Sequence, residues 1–303
     1  MTKRSVAVYL IAIGFLLAIT LGWYARAFLL GQQAASVKFD GSRALIDVQT
    51  QVGFGPRIPG SEAHAKILEW MRSELESAGW QVQIQQSESM GHPIQNLMAS
   101  RTDDPPQFIL GAHYDSRLWA NRDPDPAKQH DPVPGADDGA SGVAVLMELA
   151  RTLPKNTEPI WLVFFDAEDN GEIPGWDWLL GSRAFVAGLT VKPKAMILVD
   201  MVGGTTLQLP MEGNSTPGLS RSIWQTAADL GYKNIFMPQA KYDIEDDHVP
   251  FLQSGIPAVD IIDLDYPYWH TTADTPNHVS AQSLQIVGSV LWTWLTEQNP
   301  QSK

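Results

Sequence analysis

Short apolar runs alternate with stretches of helical periodicity along most of this chain. Four runs have the length and bounds of buried strands: residues 108–110, 161–165, 196–199 and 258–262. Residues 142–153 and 219–230 carry apolar side chains at helical spacing, and residues 281–297 predict a final amphipathic helix. This alternation predicts a three-layer α/β fold, in which helices cover both faces of a mixed, mostly parallel sheet.

The segment before these runs predicts two helices and a further strand. Apolar positions between 44 and 48 begin a helix, which the glycine- and proline-containing segment 53–57 ends. Ser61 followed by an acid is typical of a helix start, and Gly79 is typical of a helix end. Residues 82–84 then alternate between apolar and polar side chains, as in a strand.

The N-terminus carries a long apolar run. Lys3 and Arg4 precede residues 6–24, which are uncharged and almost wholly apolar. Because about 20 such residues allow a helix to cross a bilayer, residues 1–30 are predicted to be a transmembrane signal anchor. The basic pair before the run predicts a single-pass protein with a cytoplasmic N-terminus and its remaining residues outside the membrane.

Two other interpretations of this apolar run remain open. A signal peptide usually has a shorter apolar core, but cleavage near residues 34–36 would give a secreted protein. A buried core helix is the other alternative. Residues 31–42 are predicted to be a polar linker, and residues 43–303 a single domain that we expect to be monomeric.

Composition excludes several classes of function. The chain has 303 residues and a formal net charge of -13, so it should repel phosphate backbones, and nucleic-acid binding is not expected. It has no cysteine, which excludes a thiol nucleophile, a cysteine-bound zinc ion and any disulfide.

Imidazole and carboxylate side chains follow each of the four predicted strands, and one more acid precedes a predicted helix. These residues are His113, Asp138, Glu168, Asp169, Asp200 and His270. Since ligands bind beyond the carboxyl ends of parallel strands, we expect these side chains to lie close together. Carboxylates cannot crowd without a compensating cation, and zinc accepts both nitrogen from histidine and oxygen from carboxylates. The pattern therefore predicts a zinc site.

Glu168 and Asp169 are adjacent, so their side chains point in different directions. One carboxylate can then hold a metal while the other serves as a general acid and base. The alternative is a pair of solvated loop acids.

Six segments between about residue 40 and the C-terminus carry a family resemblance. They are GAHYDS at 111–116, GADDGASG at 135–142, FFDAED at 164–169, LGSR at 180–183, LVDM at 198–201 and YWHT at 268–271. In order and spacing they resemble the M28 family of zinc peptidases and their relatives, the animal-type glutaminyl-peptide cyclotransferases. The resemblance implies the zinc-aminopeptidase (phosphorylase/hydrolase-like) fold and peptide or protein N-termini as substrates.

The resemblance also implies the roles of individual residues. The family's metal ligands match Asp138, Asp169 and His270, and its acid/base glutamate matches Glu168. In the two-zinc aminopeptidases, residues matching His113 and Asp200 hold the second metal, with the residue matching Asp138 as the bridge. The cyclotransferases have the same residues but bind one zinc. We therefore expect one zinc, or two if the chain is an aminopeptidase.

Two features favour the cyclotransferase branch. The segment DDHVPF at 246–251 resembles DDHIPF of that branch, whose first acid, Asp246 here, works beside the catalytic glutamate. Trp269 directly precedes His270, and with Trp176 or Trp178 it could line an apolar slot for a glutaminyl side chain; core packing is the alternative for Trp176 and Trp178.

The chain also departs from that branch. Asp169 stands where the family has a metal-binding glutamate that is one methylene longer. Asp260 matches the position of a pocket histidine, which puts substrate contacts in doubt, and the cysteine pair of the animal enzymes is absent.

Three hypotheses follow. The first is a zinc-dependent glutaminyl-peptide cyclotransferase, which converts N-terminal glutamine to pyroglutamate and releases ammonia. The second is a zinc-dependent M28-type aminopeptidase. The third is a non-catalytic, membrane-tethered binding module that has kept the fold.

Overall fold

The computed structural model describes residues 39–298, which contain a six-stranded mixed sheet in the strand order β1-β2-β4-β3-β5-β8. Strands β1 and β2 are antiparallel to their neighbours, whereas β4, β3, β5 and β8 run parallel to one another. A separate pair, β6 and β7, is parallel. The strands are β1 (Gln81–Ser89), β2 (His92–Ser100), β3 (Phe108–His113), β4 (Ile160–Phe165), β5 (Ala195–Asp200), β6 (Leu209–Glu212), β7 (Phe236–Tyr242) and β8 (Ala258–Ile262).

Helices cover both faces of the six-stranded sheet. They are α1 (Gly41–Gly53), α2 (Glu62–Ser77), α3 (Ala140–Thr152), α4 (Leu180–Ala187), α5 (Pro217–Asp229), α6 (Val249–Gln253) and α7 (Ala281–Glu297). Helix α3 packs on β3 and β5, and α1 and α7 pack against α3. Helix α4 packs on β2 and β4, and α6 packs on β8. The predicted three-layer α/β architecture with a mostly parallel sheet is confirmed.

Alternate residues of the central strands enter two separate cores. On β4, Leu162 and Phe164 belong to the larger core under α1, α3 and α7. Val163 and Phe165 belong to the smaller core, where they meet Phe185 of α4. Because successive side chains on a strand point to opposite faces, a strand buried on both faces needs the unbroken apolar run seen in the sequence.

The helix start predicted at Ser61 is confirmed by a hydrogen bond, and the structure shows similar caps on two further helices. The side chain of Ser61 accepts from the backbone of His64 at the start of α2. Ser280 does the same for two amides of α7, and Asp40 does so for two amides of α1. These contacts satisfy amides that have no partner within the helix. Since Asp40 caps α1 and Phe39 is buried, residues 39–42 of the predicted linker 31–42 belong to the folded domain.

Several elements were not predicted from the sequence. Strand β2, the β6–β7 pair and the helices α4 and α6 all lie in stretches without clear periodicity. Within residues 39–298 no helix has the length and apolarity needed to cross a membrane. The predicted transmembrane helix and the cleavage site lie outside the described residues.

The sheet brings distant parts of the chain to one edge. Strands β3, β4, β5 and β8 are parallel, so their carboxyl ends lie together. His113 ends β3 and Asp200 ends β5, while Glu168 and Asp169 follow β4 and His270 follows β8. This edge carries the candidate site.

Candidate metal centre and pocket

Five buried side chains form the metal-ligand cluster: His113, Asp138, Asp169, Asp200 and His270. Within the described part of the chain, two groups of three could hold a metal ion, namely His113–Asp138–Asp200 and Asp138–Asp169–His270. In each group the potential ligand atoms lie within 4.8 Å of one another. Asp138 belongs to both, which is the arrangement expected of a bridging carboxylate.

Distances in this cluster are those of direct polar contact. His270 Nε2 lies 2.9 Å from Asp169 Oδ1 and 3.7 Å from Asp138 Oδ2. His113 Nε2 lies 3.1 Å from Asp138 Oδ1 and 3.2 Å from Asp200 Oδ1. The shorter side chain of Asp169 therefore still brings its carboxylate to the imidazole of His270.

Burial dominates the electrostatics of the cluster. It raises the pKa of Asp169 to about 7, although the nearby Arg117 acts in the opposite direction. It also raises the pKa of Asp138, and the charge of Asp169 adds to this effect. The same loss of hydration lowers the pKa of His270 to about 3, which leaves its imidazole neutral. Crowded acids beside a neutral imidazole are suited to a divalent cation.

The ligand atoms also fit a zinc ion. Among the described residues, Asp138 Oδ2 and Asp169 Oδ2 are buried and accept no hydrogen bond. A buried carboxylate oxygen without a partner is unfavourable, and a bound cation would remove that cost. With His270 Nε2, these oxygens are the ligand types that zinc takes in catalytic sites, which leave one position open.

Asp115 orients both halves of the cluster. One of its oxygens lies 3.3 Å from His113 Nδ1 and accepts from the amide of Glu168, and its other oxygen accepts from the amide of Asp169. A carboxylate on the far nitrogen of an imidazole fixes its ring orientation and leaves the near nitrogen to face the centre. The sequence analysis assigned no role to Asp115, although it lies in the resemblance segment 111–116.

Two buried arginines shape the loops that carry the acids. Arg117 donates to the carbonyl oxygens of Asp169 and Gly171. Arg57 donates to the carbonyl oxygens of Tyr114, Pro134 and Gly135, just before Asp138. Asp274 accepts from the amide of Asp138. Sequence reasoning missed these residues because loop carbonyls leave no periodic signal.

Backbone strain is concentrated at the site. Ala167, Met201 and His270 have φ values of 51°, 44° and 58°, in the left-handed region that favours glycine. Ala167 precedes Glu168 and Met201 follows Asp200, so all three lie at or beside site residues. Such conformations cost about 1–3 kcal/mol each and persist only where the surrounding structure enforces them.

The main pocket opens directly beside the metal-ligand cluster and encloses about 250 Å³. Its lining includes Asp138, Glu168, Asp169, Trp178, Asp200, Met201, Asp243, Ile244, Glu245, Asp246, Ile262, Leu264, Trp269 and His270. Glu168 and Asp246 are the acids expected from the sequence to do chemistry, and both reach this pocket. Burial raises the pKa of Glu168 well above its usual value and that of Asp246 to about 6.

Two residues predicted to line the pocket do not lie in its lining. Trp176 stacks on the ring of His92, with centroids 3.6 Å apart, at the end of β2. Asp260 is fully buried within β8. Trp178 and Trp269 do line the pocket, and each also contacts the imidazole of His270.

Behind Asp246 lies the sealed cluster, formed by Glu212, Asp247, His248 and Asp260. All four are buried, and none lines the main pocket. His248 Nε2 lies 3.2 Å from Glu212 Oε2, and His248 Nδ1 lies 3.9 Å from Asp260 Oδ2. Burial and the neighbouring Asp246 raise the pKa of Asp260 well above its usual value. This group was only partly anticipated, through Asp260.

The chain is similar to zinc-dependent exopeptidases and to glutaminyl cyclases. The family model for peptidase family M28 matches residues 96–295. The crystal structure of Porphyromonas gingivalis glutaminyl cyclase has 37% sequence identity and a TM-score of 0.81, covering 86% of this chain and 99% of that one. A zinc-dependent exopeptidase from Parabacteroides distasonis has 32% identity and the same TM-score, with coverage of 86% and 99%.

A curated relative supports the same relationship. Glutaminyl-peptide cyclotransferase from the snake Boiga irregularis is 24% identical over 290 residues, which cover 80% of this chain and 77% of the relative. The resemblance seen in the sequence motifs is therefore confirmed. Relatives of both activities are similar to this chain, so likeness by itself does not choose between cyclisation and hydrolysis.

Proposed function

The chain belongs to peptidase family M28, and from this premise we propose that it is a zinc-dependent glutaminyl-peptide cyclotransferase. The observation that carries the proposal is the pairing of two buried acids, Glu168 and Asp246, in one small pocket beside the metal-ligand cluster. Glu168 can exchange protons with the reacting groups while Asp246 holds the substrate amine. Similarity to a glutaminyl cyclase over 86% of the chain is compatible with this choice, which rests on the paired acids.

In the proposed reaction the α-amine of an N-terminal glutamine attacks the carbonyl carbon of its own side-chain amide. A new carbon–nitrogen bond closes the five-membered ring, and the bond to the amide nitrogen breaks. Glu168 removes one proton from the attacking amine and returns it to the departing nitrogen, which leaves as ammonia. The nucleophile belongs to the substrate, so the reaction is intramolecular, and the residues that hold the amine near the amide carbonyl favour the reactive conformation.

The pocket walls would fix the substrate for this step. Trp178 and Trp269 offer flat apolar surfaces for the methylene groups of the glutaminyl side chain. Asp246 and Asp200 line the same pocket and can accept hydrogen bonds from the amine and the amide. The small volume of the pocket suits one residue and helps to exclude water, which would otherwise compete as a nucleophile.

Asp138, Asp169 and His270 would hold the zinc ion in this proposal. When bound, zinc supplies Lewis acidity, which makes an amide carbonyl more susceptible to attack.

An M28-type aminopeptidase is the second candidate, and one specific observation favours it. The groups His113–Asp138–Asp200 and Asp138–Asp169–His270 share Asp138, as two metals bridged by one carboxylate require. In that case Glu168 would act as the base toward a water molecule instead of toward the substrate amine.

Two substrates and a metal count separate the candidates. The full-length, zinc-loaded protein is incubated with a peptide that begins with glutamine and, separately, with leucine anilide. Ammonia release with the matching loss of peptide mass supports cyclisation, whereas release of the arylamine supports hydrolysis. Two zinc ions per chain, together with arylamine release, would reject the cyclotransferase. A non-catalytic binding module would give neither product.

A further inference from the structure

A side groove adjoins the main pocket and shares two of its walls, Leu264 and Trp269. It is wider and shallower, and its other lining residues are Arg122, Tyr242, Tyr266, Pro267 and Thr271. Its volume of about 550 Å³ exceeds that of the main pocket. A peptide with its first residue in the main pocket can continue past these shared walls, so the side groove is suited to the residues that follow.

The main pocket and the side groove are lined by charged side chains of opposite sign. The main pocket contains many acids, including the exposed Asp243 and Glu245. Arg122 is the one charged side chain among the described residues that line the side groove. In a chain of formal net charge -13, a positive group at this place is contrary to the overall field.

Arg122 is held in position but is not neutralised. Its guanidinium carbon lies 3.9 Å from the ring centroid of Trp269, and its amide donates to the carbonyl oxygen of His270. Within residues 39–298 no carboxylate lies within ion-pair distance of it, and the side chain is exposed. Stacking on an aromatic face leaves the edge of a guanidinium free for a planar, bidentate partner such as a carboxylate.

We propose that Arg122 and the side groove form a subsite for an acidic side chain at the second or third position of the substrate. An extended peptide advances by about 3.5 Å per residue, so these positions are within reach of a guanidinium on the Trp269 wall. The inference rests on the proposed function only in requiring a peptide N-terminus in the main pocket. It gives the substrate class as peptides with an acid shortly after the N-terminal residue.

The test compares tetrapeptides that begin with glutamine and carry glutamate, glutamine or lysine at position two or three. For the unmodified protein at low salt, we expect kcat/KM to be about three- to fivefold higher with glutamate than with glutamine, and lower still with lysine. The difference should appear mainly in KM, because the contact is the same in the ground and transition states. It should weaken as salt is added.

Matched variants assign the effect to Arg122. Arg122→Gln should abolish the preference for glutamate, and Arg122→Lys should keep part of it because the positive charge remains. Arg183→Gln removes the same charge from a residue whose guanidinium is paired with Asp177 and Glu245, the latter on the lining of the main pocket. This control should keep the preference.

The results that would overturn the subsite differ from those that would overturn the proposed cyclotransferase activity. The inference is overturned if the unmodified protein shows no preference for glutamate, or if Arg122→Gln and Arg183→Gln change the preference equally. If no glutamine peptide releases ammonia, the cyclotransferase proposal fails instead. The same series with N-terminal leucine, assayed for hydrolysis, then tests the subsite.

Discussion

The metal-ligand cluster and the sealed cluster contain the same types of side chain but differ in what those side chains contact. Each combines histidine with several buried carboxylates. In the metal-ligand cluster the ligand atoms of each group of three lie within 4.8 Å of one another, and Asp138, Asp169, Asp200 and His270 line the main pocket. In the sealed cluster Glu212 takes hydrogen bonds from the amides of Asn214, Ser215 and Ile244.

The two clusters also differ electrostatically. Burial acts to raise the pKa of Glu212, but contacts from His248 and from backbone amides outweigh it and lower the value to about 2. Its charge is therefore compensated by the protein itself. Asp138 and Asp169 keep buried oxygens without partners at the wall of the main pocket, whereas the unpartnered oxygens of Asp247 and Asp260 lie away from it. Residue type does not distinguish a metal site from a structural cluster; convergence and access do.

The largest expected effect comes from replacing a histidine of the metal-ligand cluster, with the matched replacement in the sealed cluster as its control. His270→Gln should lose zinc on dialysis and lower activity by at least about a thousandfold, because Lewis-acid assistance is worth several kcal/mol. His248→Gln, the matched substitution in the sealed cluster, should retain zinc. Metal analysis after dialysis measures both. Zinc retained by His270→Gln, or lost by His248→Gln, would contradict the assignment of the two clusters.

Glu168→Gln should give the next largest effect. The variant keeps the size of the side chain but cannot exchange a proton, so activity should fall by about 10²- to 10⁴-fold. Zinc content should be unchanged, since Glu168 belongs to neither group of potential ligands. Steady-state kinetics and metal analysis of the same preparation check both points. Full activity in this variant would reject the role of Glu168 in either enzymatic mechanism.

Asp115→Asn probes the support of the metal-ligand cluster. The asparagine side chain has one oxygen in place of two. It cannot accept hydrogen bonds from the backbone N–H groups of both Glu168 and Asp169 and also face the imidazole of His113 as the carboxylate does. Loss of such a partner typically costs 10–100-fold in activity or metal affinity, so we expect a decrease in that range. Titration with zinc and kcat measurements report it. The idea fails if both quantities stay within twofold of the unmodified protein.

The substitution Asp260→Asn tests the sealed cluster. We expect it to have the smallest of the predicted effects, and this effect is a change in the stability of the protein. The raised pKa of Asp260 means that the folded protein holds this proton more tightly than the unfolded chain. The stabilisation that results from this tighter proton binding is fully present below about pH 4, the pKa of Asp260 in the unfolded chain. It is lost as the pH rises through the pKa of Asp260 in the folded protein. The acids Asp246, Asp200 and Glu212 contribute to the raised value, and His248 faces the carboxyl group.

The asparagine variant lacks this pH dependence. At pH 8 it should be more stable than the unmodified protein by about 1 kcal/mol or more, which raises the melting temperature by about 2–4 °C. The advantage should shrink toward pH 4. Calorimetric melting at several pH values measures it, and a constant or inverted difference would show that Asp260 is ionised in the folded protein.

Much of the fold was predictable because its signals are local. The runs at 108–110, 161–165 and 196–199 became strands β3, β4 and β5, since unbroken apolar runs suit strands buried on both faces. The helix start at Ser61 followed from capping chemistry, and the final helix followed from its amphipathic pattern. Strand β2 and helix α4 escaped prediction because their burial depends on neighbours that are remote in the sequence.

The candidate site was predictable to a similar degree. Acids and imidazoles at strand ends, together with the family motifs, predicted the residues that the structure brings together as possible metal ligands, and the family motifs predicted Glu168 as the acid/base residue. The family resemblance singled out Asp246, which reaches the main pocket, but nothing in the sequence indicated that Asp247 belongs to the sealed cluster. Adjacent residues of one motif diverge in direction, and only packing determines which of them meets the pocket.

The sequence alone therefore determined the layered α/β class, the edge that carries the site and the residues able to hold a metal, because strand periodicity and ligand chemistry are local properties. Tertiary structure decided that Trp176 stacks on His92 away from the pocket and that Asp260 is enclosed within β8. It also joined Arg122 to the wall formed by Trp269, across nearly half of the chain. These contacts depend on side-chain packing between segments that are far apart in the sequence.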